Sequence, residues 1–160
     1  MKKYTLKTEV VTCRTEELSG EEKQWMEAAI AAAGKAYAPY SGLQVGAVAV
    51  LADGTQIAGS NQENAAYPSG MCAERVALFA AARPDMPVIA LALTAVGNGA
   101  QQFPIAPCGA CRQVMLEMEQ RGGSPMRVLL CGSTCVQMVN SASDLLPLSF
   151  DKNHLVKHVS

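Results

Sequence analysis

The sequence predicts an α/β fold: a three-layer α/β/α sandwich built on one mixed five-stranded sheet. Three observations lead there. The elements follow one another as helix, hairpin, helix, strand, helix, strand, an order that places helices on both faces of a single sheet. Val88 to Val96 is an unbroken apolar run of strand length, as expected of a strand covered on both sides. Asp53-Gly54 separates two β-prone stretches and is a strong hairpin signal.

Each element has its own local reason. Residues 1–18 read as an N-terminal extension with a weak strand alternation over Tyr4, Leu6, Thr8, Val10 and Thr12. Ser19 followed by Glu22 is a capping box, which starts a helix through Trp25, Met26, Ala29, Ile30 and Ala33 that fails around Pro39. Leu43 to Leu51 and Thr55 to Ser60 are the arms of the hairpin, and Asn61 to Gly70 is loop by composition. Cys72 to Ala82 is rich in Ala, Leu and Glu and should be helical, stopping before Pro84. After the strand at Val88 to Val96, a Gly, Gln and Pro loop leads to a helix from about Gly109 to Gln120. Met126 to Cys131 and Cys135 to Val139 complete the five strands. Val114, Met115 and Met118, with Cys111, form a core-facing helical stripe.

Composition narrows the function classes. The 160 residues fit one domain, and 49% apolar with 17% charged residues is an ordinary globular balance. Thirteen basic residues against fourteen acidic ones leave a net charge of -1, which argues against a phosphate-backbone binder and so against nucleic acid as a partner. No stretch reaches the ~18 to 20 continuous apolar residues of a membrane span. The basic start lacks the apolar segment of a secretory signal, so a cytoplasmic location is expected. Six cysteines would suggest disulfides in a secreted mini-protein, but in a reducing compartment they point to metal or catalysis.

The chemistry concentrates in two stretches. Cys72-Ala73-Glu74 opens one expected helix and Pro107-Cys108-Gly109-Ala110-Cys111 the next, placing each cysteine in a first helical turn. Unpaired N–H groups and the helix dipole there stabilise thiolates, the form that binds zinc. Three ligands are one fewer than a structural zinc uses, and a catalytic zinc keeps its fourth position for water, whose pKa falls near ~7. Glu74, two residues beyond a ligand, suits a proton shuttle.

Alone, each piece has a plainer reading. Cys108-x-x-Cys111 could be a redox pair or half of a structural zinc site, Glu74 a solvated first-turn carboxylate, Asn61 and Glu63 loop polars, and Arg75 a surface charge. A non-enzymatic zinc module would need a fourth protein ligand, and a redox protein would leave Glu74 without a role. Together the pieces favour catalysis. Cys13, Cys131 and Cys135 read as inert thiols, and His154 and His158 as solvated residues of a polar tail.

The combined pattern resembles the cytidine and deoxycytidylate deaminase family, and within it the small homotetrameric cytidine deaminases. The resemblance rests on Tyr37-Ala38-Pro39-Tyr40-Ser41, Gln44-Val45-Gly46-Ala47, Asn61 through Tyr67, Cys72-Ala73-Glu74-Arg75, Pro107 to Gln113 and Leu145-Leu146-Pro147. It spans roughly residues 19–150, leaving 151–160 as a C-terminal tail. It implies a hydrolase acting on the C–N bond of a cyclic amidine, converting cytidine and 2′-deoxycytidine to uridine and 2′-deoxyuridine with release of ammonia, in pyrimidine salvage. Cys72, Cys108 and Cys111 would hold one zinc per chain. Glu74 would move protons between water, the pyrimidine N3 and the leaving ammonia. Asn61 and Glu63 would hold the sugar hydroxyls, and the Ala73 N–H the base. Arg75 would contact the thiolates, and Phe150 would reach a neighbouring subunit's site. Leu43 stands where the family usually has an aromatic residue, a loss of about 0.5 to 1.5 kcal/mol of stacking. Rival deaminase substrates are an aminonucleoside antibiotic or a base in nucleic acid; the N-x-E-N stretch and 5% aromatics favour a free nucleoside.

Overall fold

The computed structural model describes residues 1–97 and 104–155. Part of the loop expected before Pro107, at 98–103, and the end of the tail with His158 lie outside the described residues. The elements are β1 (Val11–Cys13), α1 (Gly20–Ala33), β2 (Gln44–Leu51), β3 (Gln56–Ser60), α2 (Ala73–Ala81), β4 (Val88–Val96), α3 (Gly109–Gly122), β5 (Arg127–Cys131) and β6 (Val136–Val139). They form one mixed sheet in the order β1-β6-β5-β4-β2-β3. Only β4 and β5 are parallel, joined by the α3 crossover; the other neighbours are antiparallel.

The sandwich is as expected, but the sheet has six strands rather than five. The sixth comes from the N-terminal extension, where Val11, Thr12 and Cys13 pair with Met138, Gln137 and Val136. Thr8 adds a hydroxyl bond to the Asp144 carbonyl at 2.9 Å. The alternation over residues 4–12 suggested a longer strand, yet only its last residues reach β6. Such an edge strand is fixed by its partner more than by its own pattern.

Alternation along the strands divides the core. Ala47, Ala49, Leu51, Leu91 and Leu93 face α2 and α3, with Cys111, Met115 and Met118 of the α3 stripe buried among them. Val48, Val50, Ala90, Ala92 and Leu129 face α1 with Ala29, Trp25 and Met26. Helix α1 begins as expected: the Ser19 N–H donates to Glu22 at 2.9 Å and the Ser19 hydroxyl accepts from the Glu22 N–H at 3.2 Å. The same Glu22 carboxylate meets Arg127 of β5 at 2.5 Å, tying the cap to the sheet. The helix ends at Ala33, with Gly34 as its cap, before Pro39 is reached.

Two close approaches set the helix positions. A Cβ on Gly46 would stand 2.0 Å from the Ala29 carbonyl oxygen of α1. One on Gly59 would stand 2.6 Å from the Ala73 carbonyl oxygen and 2.5 Å from the Ala77 nitrogen of α2. Backbone cannot yield as a flexible side chain does. Gly59→Ala should therefore lower stability by about 2–3 kcal/mol, read as a fall of several degrees in the thermal midpoint. Gly20→Ala, where no atom lies within 4 Å, should be neutral or slightly stabilising.

Candidate metal centre and substrate cavity

The first turn of α2 and that of α3 meet at one end of the sheet. Cys72 and Cys108 are the N-cap residues of these helices, one position ahead of the expected first turn, and Cys111 lies inside the first turn of α3. Arg112 steadies the second turn: its side chain donates to the Pro107 carbonyl at 2.9 Å and to the Leu145 carbonyl at 3.0 Å.

The three sulfurs lie within 4.8 Å of one another. Cys72 and Cys108 are 4.0 Å apart and Cys108 and Cys111 3.5 Å apart. Tetrahedral coordination with Zn–S bonds near 2.3 Å requires S···S separations of about 3.8 Å, so the cluster has the size zinc needs. Among the described residues no fourth His, Cys, Asp or Glu joins it. Three soft ligands with one position open is the donor set of a catalytic rather than a structural site.

Electrostatics distinguish the thiols. A hydrogen bond from the Cys111 thiol, aided by Arg75 and Cys108, draws Cys72 down to about 5 against the opposing effect of burial. Cys111 is pushed the other way by the same bond, by burial and by Glu74. The Arg75 guanidinium donates to the Cys72 sulfur at 3.6 Å, the contact its sequence position suggested. Glu74 is 4% exposed, and burial, followed by the neighbouring Cys72 charge, raises its carboxyl above the ordinary range.

From this corner opens a cavity of about 610 Å³. Cys72, Ala73, Glu74 and Arg75 line one part of it, and Asn61 and Glu63 line it together with Leu43. Asn61 accepts from the Val45 N–H at 2.7 Å and donates to the Leu43 carbonyl at 2.9 Å. Glu63 accepts the backbone N–H groups of Tyr40 at 2.9 Å and Ser41 at 3.3 Å, and the Ser41 hydroxyl. Tyr40 and Tyr67 stand edge to face, centroids 6.2 Å apart, both exposed. Sequence reasoning quoted Tyr40, Ser41 and Tyr67 only as part of a pattern and gave them no role. A hydroxyl residue next to an N-x-E loop partner was the available signal, and it is weak without the fold.

The remaining singled-out residues lie elsewhere. Phe150 is exposed, stacks on His154 at 5.4 Å, and its carbonyl accepts from Gln113 at 2.9 Å. Cys131 is buried and its thiol pushed up to about 12, while Cys13 is raised by burial first and then by Glu17 and Glu22. Both remain thiols at neutral pH.

The sequence comparisons agree with this geometry. A model of the cytidine and deoxycytidylate deaminase zinc-binding region matches residues 19–122. A cytidine deaminase from Halalkalibacterium halodurans is 46% identical over 101 residues, which cover 61% of this chain and 72% of that protein. One from Sporosarcina psychrophila is 38% identical over 122 residues, covering 76% of this chain and 85% of its own. The crystal structure of a cytidine deaminase from Burkholderia pseudomallei superposes with a TM-score of 0.66 at 46% identity, covering 80% of this chain and 98% of that one. The chain belongs to the cytidine and deoxycytidylate deaminase family.

The thiol assignment is directly checkable. In protein stripped of zinc by a chelator, Cys72 should alkylate almost as fast at pH 6 as at pH 8. An ordinary thiol slows roughly a hundredfold over that interval because its thiolate fraction falls. Mass spectrometry of the labelled peptides identifies the site, and Cys111 should label last of the three.

Proposed function

We propose that this protein hydrolyses cytidine and 2′-deoxycytidine to uridine and 2′-deoxyuridine, releasing ammonia. The observation that carries the reading is the open three-cysteine cluster beside a buried Glu74, at one part of a cavity whose lining also includes Asn61 and Glu63. Cys72, Cys108 and Cys111 hold one zinc ion per chain. When bound, zinc makes hydroxide available at neutral pH.

The chain's own groups do the rest. Glu74 takes up a proton from the attacking water, delivers it to the pyrimidine N3, then takes the second proton from the hydroxyl formed on C4 and passes it to the amino group, which leaves as ammonia. A carboxyl raised by burial is suited to both halves of that task, since general acid–base catalysis is strongest when the group's pKa approaches the working pH. The Ala73 N–H, at the start of α2, donates to the base. Asn61 and Glu63 bind the sugar, and Arg75 offsets the charge of the cysteine cluster by its contact with Cys72.

The protein acts as a homotetramer in which Phe150 reaches a neighbouring subunit's cavity. Exposed aromatics support this: Tyr40 and Tyr67 line the cavity, Phe79 lies on α2, and Phe150 lies beyond Pro147. Large apolar side chains left uncovered by one chain are surface that association would bury. Among the described residues no helix is long and apolar enough to cross a membrane. A cytoplasmic role in pyrimidine salvage fits a site built on reduced thiols.

Purified protein containing one zinc per chain should convert cytidine to uridine, followed by the ultraviolet change of the base. Glu74→Gln should keep its zinc and lose about 10²- to 10⁴-fold in kcat; full activity in that variant would sink the mechanism. Light scattering should give four times the 16.8 kDa chain mass, and a monomer as active as the assembly would remove the tetramer.

A further inference from the structure

Much of the hydrogen-bonding capacity of Asn61 and Glu63 is already in use within the chain. An ionised carboxylate offers about four acceptor positions, two on each oxygen. Glu63 Oε2 takes the N–H groups of Tyr40 and Ser41, and Oε1 takes the Ser41 hydroxyl. One position on Oε1 is left. Asn61 uses Oδ1 for the Val45 N–H and one hydrogen of Nδ2 for the Leu43 carbonyl, leaving one N–H to donate.

The direction of the Ser41 hydroxyl is fixed from both sides. A carboxylate only accepts, so Ser41 gives its proton to Glu63. The Leu43 N–H in turn donates to Ser41 Oγ at 3.1 Å, occupying one of its lone pairs. The hydroxyl therefore couples the loop carrying Tyr40 and Leu43, both of which line the cavity, to the carboxylate.

We propose that Ser41 is a positioning residue for sugar recognition: held by the Leu43 N–H, its hydroxyl fixes the Glu63 carboxylate so that the one remaining acceptor position meets a sugar hydroxyl of the nucleoside. The inference rests on the reading of the cavity as a nucleoside site. The Ser41 hydroxyl, followed by the Tyr40 N–H, also holds the Glu63 carboxyl below the usual range, so that it stays an acceptor.

A side chain that acts through Glu63 on a sugar hydroxyl matters only when that hydroxyl is present. Zinc-loaded wild type, Ser41→Ala, Ser41→Cys and Ser41→Thr should therefore be compared on cytidine and on 2′,3′-dideoxycytidine, the latter read as turnover or as competitive inhibition of cytidine deamination. Ser41→Ala should raise KM for cytidine about tenfold with kcat within about twofold, the scale of one hydrogen bond to a charged group. Ser41→Thr, which keeps the hydroxyl, should restore KM to within about twofold. On dideoxycytidine, wild type and Ser41→Ala should agree within about twofold. Ser41→Cys keeps the volume with a weaker donor and should fall between; it carries the test if the alanine variant does not fold. Equal losses on both substrates would show that Ser41 merely holds the loop and would overturn the proposal, as would no loss on either. Wild type inert on cytidine would overturn the nucleoside reading and this inference with it.

Discussion

Helices α2 and α3 must begin at the same end of the sheet, and the site follows from that constraint. Helix α3 leaves the carboxyl end of β4 and returns to the start of the parallel β5, so its N-terminus lies at the strands' carboxyl ends. Helix α2 leads into the start of β4, so its N-terminus lies at that end as well. Carboxyl ends of parallel strands are where open α/β sheets place their ligands. Here the placement also aims two helix dipoles and their unpaired N–H groups at one point, where thiolates benefit from both. The contact of α2 with Gly59, too close for any side chain, seats the first turns of α2, which Cys72 caps, against β3.

Charge at that point is finely apportioned. Three thiolates outweigh a divalent zinc ion by one negative charge, which would weaken it as a Lewis acid. Arg75 stands against Cys72 and returns positive charge to the cluster. Glu74 adds a carboxyl that burial keeps from ionising readily, and the nearby Cys72 charge acts in the same direction. Burial and the cluster's charge thus both hold the Glu74 carboxyl closer to its protonated form. Cys131 shares none of this: it has burial without a cation, and its thiol stays protonated.

Much of this was legible in the sequence, for reasons that differ by element. The Ser19 box, the Asp53-Gly54 turn and the apolar run of β4 are local signals, and local physics decides them. The cysteine cluster was legible because the C-x-E and P-C-x-x-C stretches each adjoin a helix-prone run, although Cys72 and Cys108 stand at the N-caps rather than inside the first turns. The sixth strand was legible only as a weak alternation in the N-terminal extension; its place in the sheet was not, because residues 11–13 pair with β6 across more than a hundred residues of chain. Glu119 escaped notice because its partners lie outside its own helix. Its carboxylate accepts the Met126 and Ala142 N–H groups at 2.8 and 2.7 Å and the Ser141 hydroxyl at 2.7 Å, fastening α3 to the chain beyond β6, and nothing in its neighbourhood in sequence marks it. Cys111, Met115 and Met118 were readable as a core stripe, whereas the use of Arg112 as a clamp on Pro107 and Leu145 was not.

The partner chemistry of the cavity lies in what its own backbone leaves unused. Asn61 and Glu63 are held by bonds to residues 40–45 before any ligand arrives, so little reorganisation accompanies binding. One N–H of Asn61 and one lone-pair position on each of Asn61 Oδ1 and Glu63 Oε1 remain, groups suited to a hydroxyl, which both donates and accepts. A phosphodiester in that place would bring negative charge and only acceptors to a carboxylate, and would make no hydrogen bond to it. On the proposed reading, preference for a free sugar hydroxyl over a polynucleotide backbone therefore needs no charged surface. The near balance of thirteen basic and fourteen acidic residues is what such a site permits, because a neutral nucleoside is met by hydrogen bonds rather than by charge.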